Sequence, residues 1–278
     1  MIQTVDAALA HARALGLERL DAQLLLAQAL HRPRAWLLAH GEDSLTGPQH
    51  EAFAASCARR ADGEPLAYLL GEREFHGLML HITPDVLVPR PDTETLVDWA
   101  LELLSGALSD VDVPEVLDLG TGSGAIALAL KHRRARSRVC ATDVSAAAID
   151  IARRNATTHR TPIEFFVGDW WQPLGERRFH LVVSNPPYVA DDDVHLRALR
   201  HEPRGALTPG GNGLGAIARL VRGAPEHLYA GGWLLLEHGA EQAEAVQGLL
   251  VDTGFAHVGT RADLAGLPRC SGGRLNPA

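Results

Sequence analysis

Cysteine is scarce and unpatterned. Cys57, Cys140 and Cys270 are far apart and odd in number. Such a set builds neither a disulfide framework nor a tetrahedral metal site, which fits a reducing, cytoplasmic location. Long apolar runs are missing as well, and none approaches the roughly 18 residues of a membrane span. The first residues, "MIQTVDAALAHARALG", are amphipathic and lack a basic region followed by an apolar core, so no signal peptide is expected. Excess positive charge is also absent. The net charge is -8, which argues against a nucleic acid as primary substrate, because phosphate contact favours basic surfaces. The basic run "RRARSR", Arg133 to Arg138, is expected on a solvated helix end and loop. No metal-ligand constellation is evident; His180, His195, His201 and His238 read as surface or packing residues.

What is present is ordinary for a soluble globular chain: 46% apolar and 22% charged residues. A length of 278 residues suggests two domains. The first third reads as helices. In "VDAALAHARALGLERLDAQLLLAQALH" apolar residues recur at spacings of three and four, with Gly16 breaking the first helix and His31-Arg32-Pro33 ending the second. A third helix follows, with Pro48 in its first turn and Gly63 at its end. These helices, residues 1–70, carry no acid, base or ligand cluster, and are expected to dock a partner. "REFHGLMLHIT" alternates like two strands turning at His76-Gly77, a hairpin linker over 71–90. From 91 to 278 strand and helix patterns alternate, which implies a mainly parallel sheet with helices on both faces and ligands beyond the strands' carboxyl ends.

The strand ends therefore carry the information. The first is "DLGTGSG", in which Gly120, Thr121, Gly122, Ser123 and Gly124 form a tight turn into a helix. Its glycines let a ligand approach the main chain, and the helix N-terminus is expected to offer N–H groups to an anion. Position 125 is alanine, which spoils the dinucleotide fingerprint, and no Lys-Ser/Thr follows to make a P-loop. The second strand ends in Asp143, placed to accept ribose hydroxyls. The third ends in Asp169-Trp170, a carboxylate for an adenine amino group and an aromatic face for the base. Together these describe a nucleoside site. The fourth ends in Asn185-Pro186-Pro187-Tyr188. There the Asn185 oxygen and the Pro186 carbonyl can accept both N–H bonds of a planar nitrogen, the prolines stiffen that carbonyl, and Tyr188 can pack on a planar group.

The order Gly-x-Gly-x-Gly, acidic, Asp-Trp, Asn-Pro-Pro-Tyr resembles the class I S-adenosylmethionine-dependent methyltransferases that modify a nitrogen conjugated to a π system. That motif is shared by enzymes acting on adenine, guanine and glutamine. The flanks "EPLAYLLGEREFHGL", "LVPRPDTETLV", "SNPPYV", "LLLEHG" and the terminal "RADLAGLPRCSGGR" are similar to the peptide-chain release factor glutamine N5-methyltransferase family over nearly the whole chain. A sister family methylates a ribosomal-protein glutamine; Pro91-Asp92-Thr93-Glu94 favours the release-factor branch. The resemblance implies an α/β, Rossmann-like methyltransferase sheet behind a small helical bundle and a hairpin. It implies S-adenosylmethionine as donor, with S-adenosylhomocysteine as product and no metal. The implied partners are class-1 peptide-chain release factors, with neither membrane nor nucleic acid. Donor contacts fall on Gly120 through Gly124, Asp143, Trp170 and Asn185. Substrate contacts fall on Asn185 through Tyr188, and Asn185 and Pro186 perform the catalysis. Arg90 is expected to shape the mouth of the site. The stretch after Tyr188 is slightly shorter than the family's and lacks a Gly-Asp before its arginine; its Asp191-Asp192-Asp193 is expected to be simply solvated.

Overall fold

The structure is a computed structural model that describes residues 4–276. The chain divides into two units, Met1–Glu72 and Arg73–Ala278. The first is helical: α1 (Val5–Ala14), α2 (Arg19–Leu30), α3 (Gly47–Ala61) and α4 (Leu66–Leu70). Its breaks have local causes. His31 caps α2 in the left-handed region at φ 51, and Pro33 prevents the helix from resuming. Pro48 occupies the first turn of α3, where a missing N–H has no partner to lose. The apolar stripes of α1, α2 and α3 meet on Phe53, with Val5, Ala12, Leu25, Leu26 and Cys57 buried around it. Arg60 on α3 also reaches Asp21 on α2 at 2.6 Å.

The hairpin is β1 (Glu72–Phe75) and β2 (Leu78–His81), turning through His76 and Gly77 at φ 49 and 82. Then come α5 (Glu94–Ser105), β3 (Glu115–Leu119), α6 (Ala125–Arg133), β4 (Arg138–Asp143), α7 (Ala146–Thr158), β5 (Glu164–Val167) and β6 (Phe179–Ser184). The chain finishes with α8 (Arg204–Leu207), α9 (Gly215–His227), β7 (Leu228–Glu237), α10 (Ala243–Asp252), β8 (Phe255–Ala262) and β9 (Pro268–Leu275). The seven strands from β3 onward form one sheet in the order β5-β4-β3-β6-β7-β9-β8. Pairing is parallel from β5 to β7 and antiparallel across β7, β9 and β8. The strand order reverses between β4 and β6, on either side of β3, so the carboxyl end of β3 is the switch point where a crevice opens.

Burial follows the pattern expected of such a sheet. β3 and β6 are covered on both faces and read as near-continuous apolar runs. The helix α6 buries Ala125 through Leu130 without interruption, because it is packed all round. The closing antiparallel pair was not readable as strands from its own residues. β9 is "PRCSGGRL", and Gly272 is there because a Cβ would run into the Leu235 side chain and the Leu234 carbonyl of the neighbouring strand. Close approach, not strand propensity, selected it.

From Arg73 on, the hairpin groups with the larger unit. Asn155 of α7, fully buried, accepts from the His81 N–H at 2.7 Å. Its amide nitrogen donates to the His81 carbonyl at 3.0 Å and to the Ser123 carbonyl at 2.9 Å. One side chain thus ties β2 to the loop that precedes α6. Replacing it would orphan three backbone groups, the Ser123 carbonyl buried and the two of His81 part-buried. Asn155→Ala is expected to destabilise the protein by on the order of 3 kcal/mol, read as a fall in the urea midpoint at unchanged m-value; a change within 0.5 kcal/mol, the usual scatter of surface substitutions, would contradict this.

Candidate functional site

Beyond the carboxyl ends of β3, β4 and β6 lies a cavity of about 250 Å³. Among the residues expected at the site, Gly120, Gly122, Asp143, Trp170, Asn185 and Pro187 line it. Thr121, Ser123, Gly124, Pro186, Tyr188 and Arg90 do not. Asp85, Val86 and Leu87 close one wall, and Pro203, Gly205 and Ala206 another. The lining is mostly apolar, with carboxylates at Asp85, Asp143 and Asp169, so the cavity favours an amphipathic ligand with cationic character.

The glycine turn is held from beneath. Gly120, Gly122 and Gly124 all have positive φ, at 72, 55 and 85, which glycine adopts without steric cost. The N–H groups of Gly120 and Thr121 both donate to the Thr142 carbonyl at 2.9 Å, and that of Gly124 to Thr121. Gly122 donates to Asp143 Oδ2 at 2.9 Å. These donors are engaged within the chain. At the start of α6 the acceptor that meets the helix is the chain's own Asp118, whose Oδ2 accepts from the Thr121 hydroxyl at 2.6 Å and the Ala127 N–H at 3.2 Å. Asp118 is completely buried, and Oδ1 has no partner among the described residues. Burial pushes its pKa up to about 7, with Thr121 and Ala127 pulling the other way. The role of Thr121 is therefore to bind this carboxylate. Ser123 contributes its carbonyl to Asn155, and Gly124 lets α6 approach Ala152 of α7.

Asp143 faces the cavity. Its two oxygens accept from Gly122 and Ser145, which fixes the carboxylate and leaves each oxygen a further lone pair. Burial raises its pKa above the usual carboxylate range. Trp170 sits at φ 52, an unusual conformation for a bulky residue. Its ring lies where a Cβ on Gly120 would come within 3.1 Å, so the first glycine makes room for it. Asp169 lines the cavity but pairs with Arg219 at 2.7 Å. Its expected role toward an amino group must share the carboxylate with that guanidinium.

The fourth strand end is built differently. Asn185 lines the cavity, and its Nδ2 donates to the Thr93 hydroxyl oxygen at 3.2 Å, which engages the donor end of the amide. Pro186 is buried beside it. Tyr188 turns its hydroxyl inward and donates to Glu237 Oε1 at 3.1 Å. Glu237, at the end of β7, is 1% exposed, and burial pushes it up to about 7 against the pull of Thr93, Tyr188 and Arg269. Burial likewise raises Tyr188, which stays a neutral phenol. Arg90 pairs with the buried carboxylate of Glu202, which also accepts from the Val88 N–H at 3.1 Å. Arg90 thereby anchors the segment before Pro203 that walls the cavity. Asp191 is more than solvated: it accepts from the Gly211 N–H and the Thr208 hydroxyl and shapes the loop.

Asp118 and Glu237 had no assigned role from sequence, whereas Glu202-Pro203 matched the family pattern with a structural role expected. The available signal was a carboxylate inside or closing an apolar run, as in "WLLLEHG". No group of three or more His, Cys, Asp and Glu side chains able to hold a metal occurs among the described residues. No helix among them is long and apolar enough to cross a membrane.

Comparison with known proteins adds independent information. The Methyltransferase small domain family matches residues 93–214, and the PrmC N-terminal domain family matches residues 2–71. A release factor glutamine methyltransferase of Bordetella pertussis is 49% identical over 263 residues, spanning 94% of this chain and 96% of its own. One from Burkholderia pseudomallei is 50% identical, with 95% and 94% covered. Among solved structures, the catalytic domain of hMettl16 superposes with a TM-score of 0.58 at 17% identity, covering 78% of this chain and 81% of its own. A T. thermophilus 16S rRNA N2 methyltransferase in complex with AdoMet and guanosine gives 0.55 at 21% identity, covering 74% and 50%. These two establish the Rossmann-like methyltransferase fold.

The raised pKa of Asp118 makes stability depend on pH. Between about pH 4 and 7 the folded protein keeps a proton that the unfolded chain has released, so stability falls as pH rises through that window and levels above it. The contribution is on the order of 4 kcal/mol. Asp118→Asn is expected to flatten the decline in Tm between pH 5 and 8; an undiminished decline would contradict the assignment.

Proposed function

The chain belongs to the release factor glutamine methyltransferases, and we propose that it transfers a methyl group from S-adenosylmethionine to the glutamine side-chain nitrogen, N5, in the Gly-Gly-Gln motif of class-1 peptide-chain release factors. This reading places it in the cytoplasm, where release factors act. The observation that supports it is Asn185, which lines the cavity with the donor end of its amide engaged by Thr93.

The cavity suits this donor. Asp143 would accept from the ribose hydroxyls, Trp170 and Val144 would flank the base, and the main chain at Gly120 and Gly122 permits close approach. The acidic lining favours a positive sulfonium. When bound, S-adenosylmethionine supplies an electrophilic methyl group whose thioether leaves without needing a proton.

The protein's own task is on the acceptor side. An amide nitrogen is a poor nucleophile because its lone pair is delocalised into the carbonyl. Asn185 Oδ1 and the Pro186 carbonyl, accepting its two N–H bonds, aim that lone pair and favour its pyramidal form. They also stabilise the positive charge that grows on nitrogen. The two prolines keep the acceptor carbonyl from yielding. Tyr188, which does not line the cavity, holds the end of the turn through its bond to Glu237. Arg90 and Glu202 hold the wall opposite. The helical unit, residues 1–70, is the docking module for the partner in this reading.

The test is a reaction of purified protein with release factor, ribosomal protein and methyl-labelled donor, mapped by mass spectrometry. Label is expected on the Gly-Gly-Gln glutamine. Label confined to a ribosomal-protein glutamine, or to rRNA or DNA in parallel reactions, would assign the chain another substrate. Asn185→Ala is expected to lower kcat on the order of a hundredfold to a thousandfold, as loss of a transition-state hydrogen-bonding group does.

A further inference from the structure

Resting on that function, we propose that Gln242 is a positioning residue of the acceptor site: it clamps the Tyr188 end of the Asn185–Tyr188 turn and so fixes the Pro186 carbonyl that serves the substrate nitrogen. Gln242 does not line the cavity. It closes the short turn Ala240–Gln242 that follows β7, the parallel neighbour of β6.

Pro186 and Pro187 carry no N–H, so the middle of the turn cannot fasten itself through backbone donors. In the mechanism above the Pro186 carbonyl must also stay free for the substrate. Restraint therefore has to come from the two ends. At the β6 end, the Ser184 hydroxyl donates to the Leu119 carbonyl of β3 at 2.6 Å, and Asn185 gives its Nδ2 to Thr93. At the far end Tyr188 is held twice. Its hydroxyl donates to Glu237 Oε1 at 3.1 Å, and its carbonyl accepts from Gln242 Nε2 at 3.0 Å. The proline rings lock φ at 186 and 187, which leaves few soft dihedrals between the Pro186 and Tyr188 carbonyls. A clamp on the Tyr188 main chain is thereby passed back to the carbonyl that meets the substrate.

The clamp has a single direction. The Gly239 N–H donates to Gln242 Oε1 at 2.9 Å. A main-chain N–H can only donate and a carbonyl can only accept, so Gly239 and Tyr188 fix opposite ends of the same amide. The Gln242 N–H in turn donates to the Gly239 carbonyl at 2.9 Å, which closes the turn that presents the side chain. Gly213 completes the arrangement. It is buried at φ 81, and a Cβ there would run into the Tyr188 carbonyl oxygen and come within 2.9 Å of Gln242 Nε2. Glycine lets the returning loop pack directly on this bond, where water would otherwise compete for both groups.

Steady-state kinetics of the full-length protein with release factor and S-adenosylmethionine test this, with S-adenosylhomocysteine calorimetry counting the folded sites. Gln242→Met keeps the side chain's length and removes its polarity. Gln242→Glu keeps its shape and sets a carboxylate oxygen against the Tyr188 carbonyl. Each is expected to lower kcat per binding site about tenfold to a hundredfold, as a small misplacement of a reacting group does. The KM for S-adenosylmethionine and the S-adenosylhomocysteine affinity are expected to stay within about twofold, the split left by losing an interaction made only in the transition state. Gln242→Glu is expected to be the slower variant, because two acceptors then face each other. A Gln242→Met with kcat per site within about twofold of wild type, a loss carried by the donor's KM, or a Gln242→Glu as fast as Gln242→Met would each overturn the proposal. Should Gln242→Glu fail to fold, Gln242→Met decides by the same split between kcat and KM. A wild-type protein that does not label the release factor would instead remove the function on which the inference rests.

Discussion

Asp118 lies wholly buried where β3 hands over to α6, and its hydrogen bonds to Thr121 and Ala127 bind the glycine turn to the helix that follows it. Around that carboxylate the remaining pieces fall into place. The turn closes on the Thr142 carbonyl, Gly122 reaches Asp143, and Gly120 leaves space for Trp170. This part of the cavity wall is thus tied to one buried acid whose Oδ2 is held from two directions. Because β3 sits at the switch point of the sheet, this arrangement opens into the crevice rather than into the core.

The acceptor half follows the same plan one layer across the sheet. Glu237 is a second buried carboxylate at a strand end, and its Oε1 accepts from the Tyr188 hydroxyl in the turn that leaves β6. Buried acids of this kind are expensive unless hydrogen-bonded. Their placement under each half of the site points to preorganisation as the return. Backbone and amide groups that must hold one orientation during reaction are held in it beforehand. Asn155 extends the principle to the hairpin, which it fastens to α7 and to the glycine turn with one side chain.

Pro91-Asp92-Thr93-Glu94 pointed toward a particular branch of methyltransferases without a mechanical reason. The structure supplies one for three of the four. Thr93 holds Asn185, Asp92 faces Arg269, and Glu94 accepts from the His76 N–H of the hairpin turn at 3.0 Å. Arg90, expected near the mouth, acts on the cavity wall through Glu202 instead. A charged residue beside a conspicuous motif was legible; its partner 112 positions away was not.

The sequence alone determined the alternation of strands and helices, the glycine turn, the acidic and aromatic residues at successive strand ends, and Asn185-Pro186-Pro187-Tyr188. Each of these is written in local spacing: periodicity, turn chemistry and the restriction of proline. Only the tertiary structure decided that β8 and β9 run antiparallel at the sheet's edge, since Gly272 answers to a neighbouring strand's side chain. It alone decided that Asp118 is the acceptor that meets the start of α6, and that Tyr188 answers to Glu237, 49 residues away. For the last two the physical reason is the same. A buried polar group takes its meaning from the partner that satisfies it, and the partner is chosen by the fold, not by proximity along the chain.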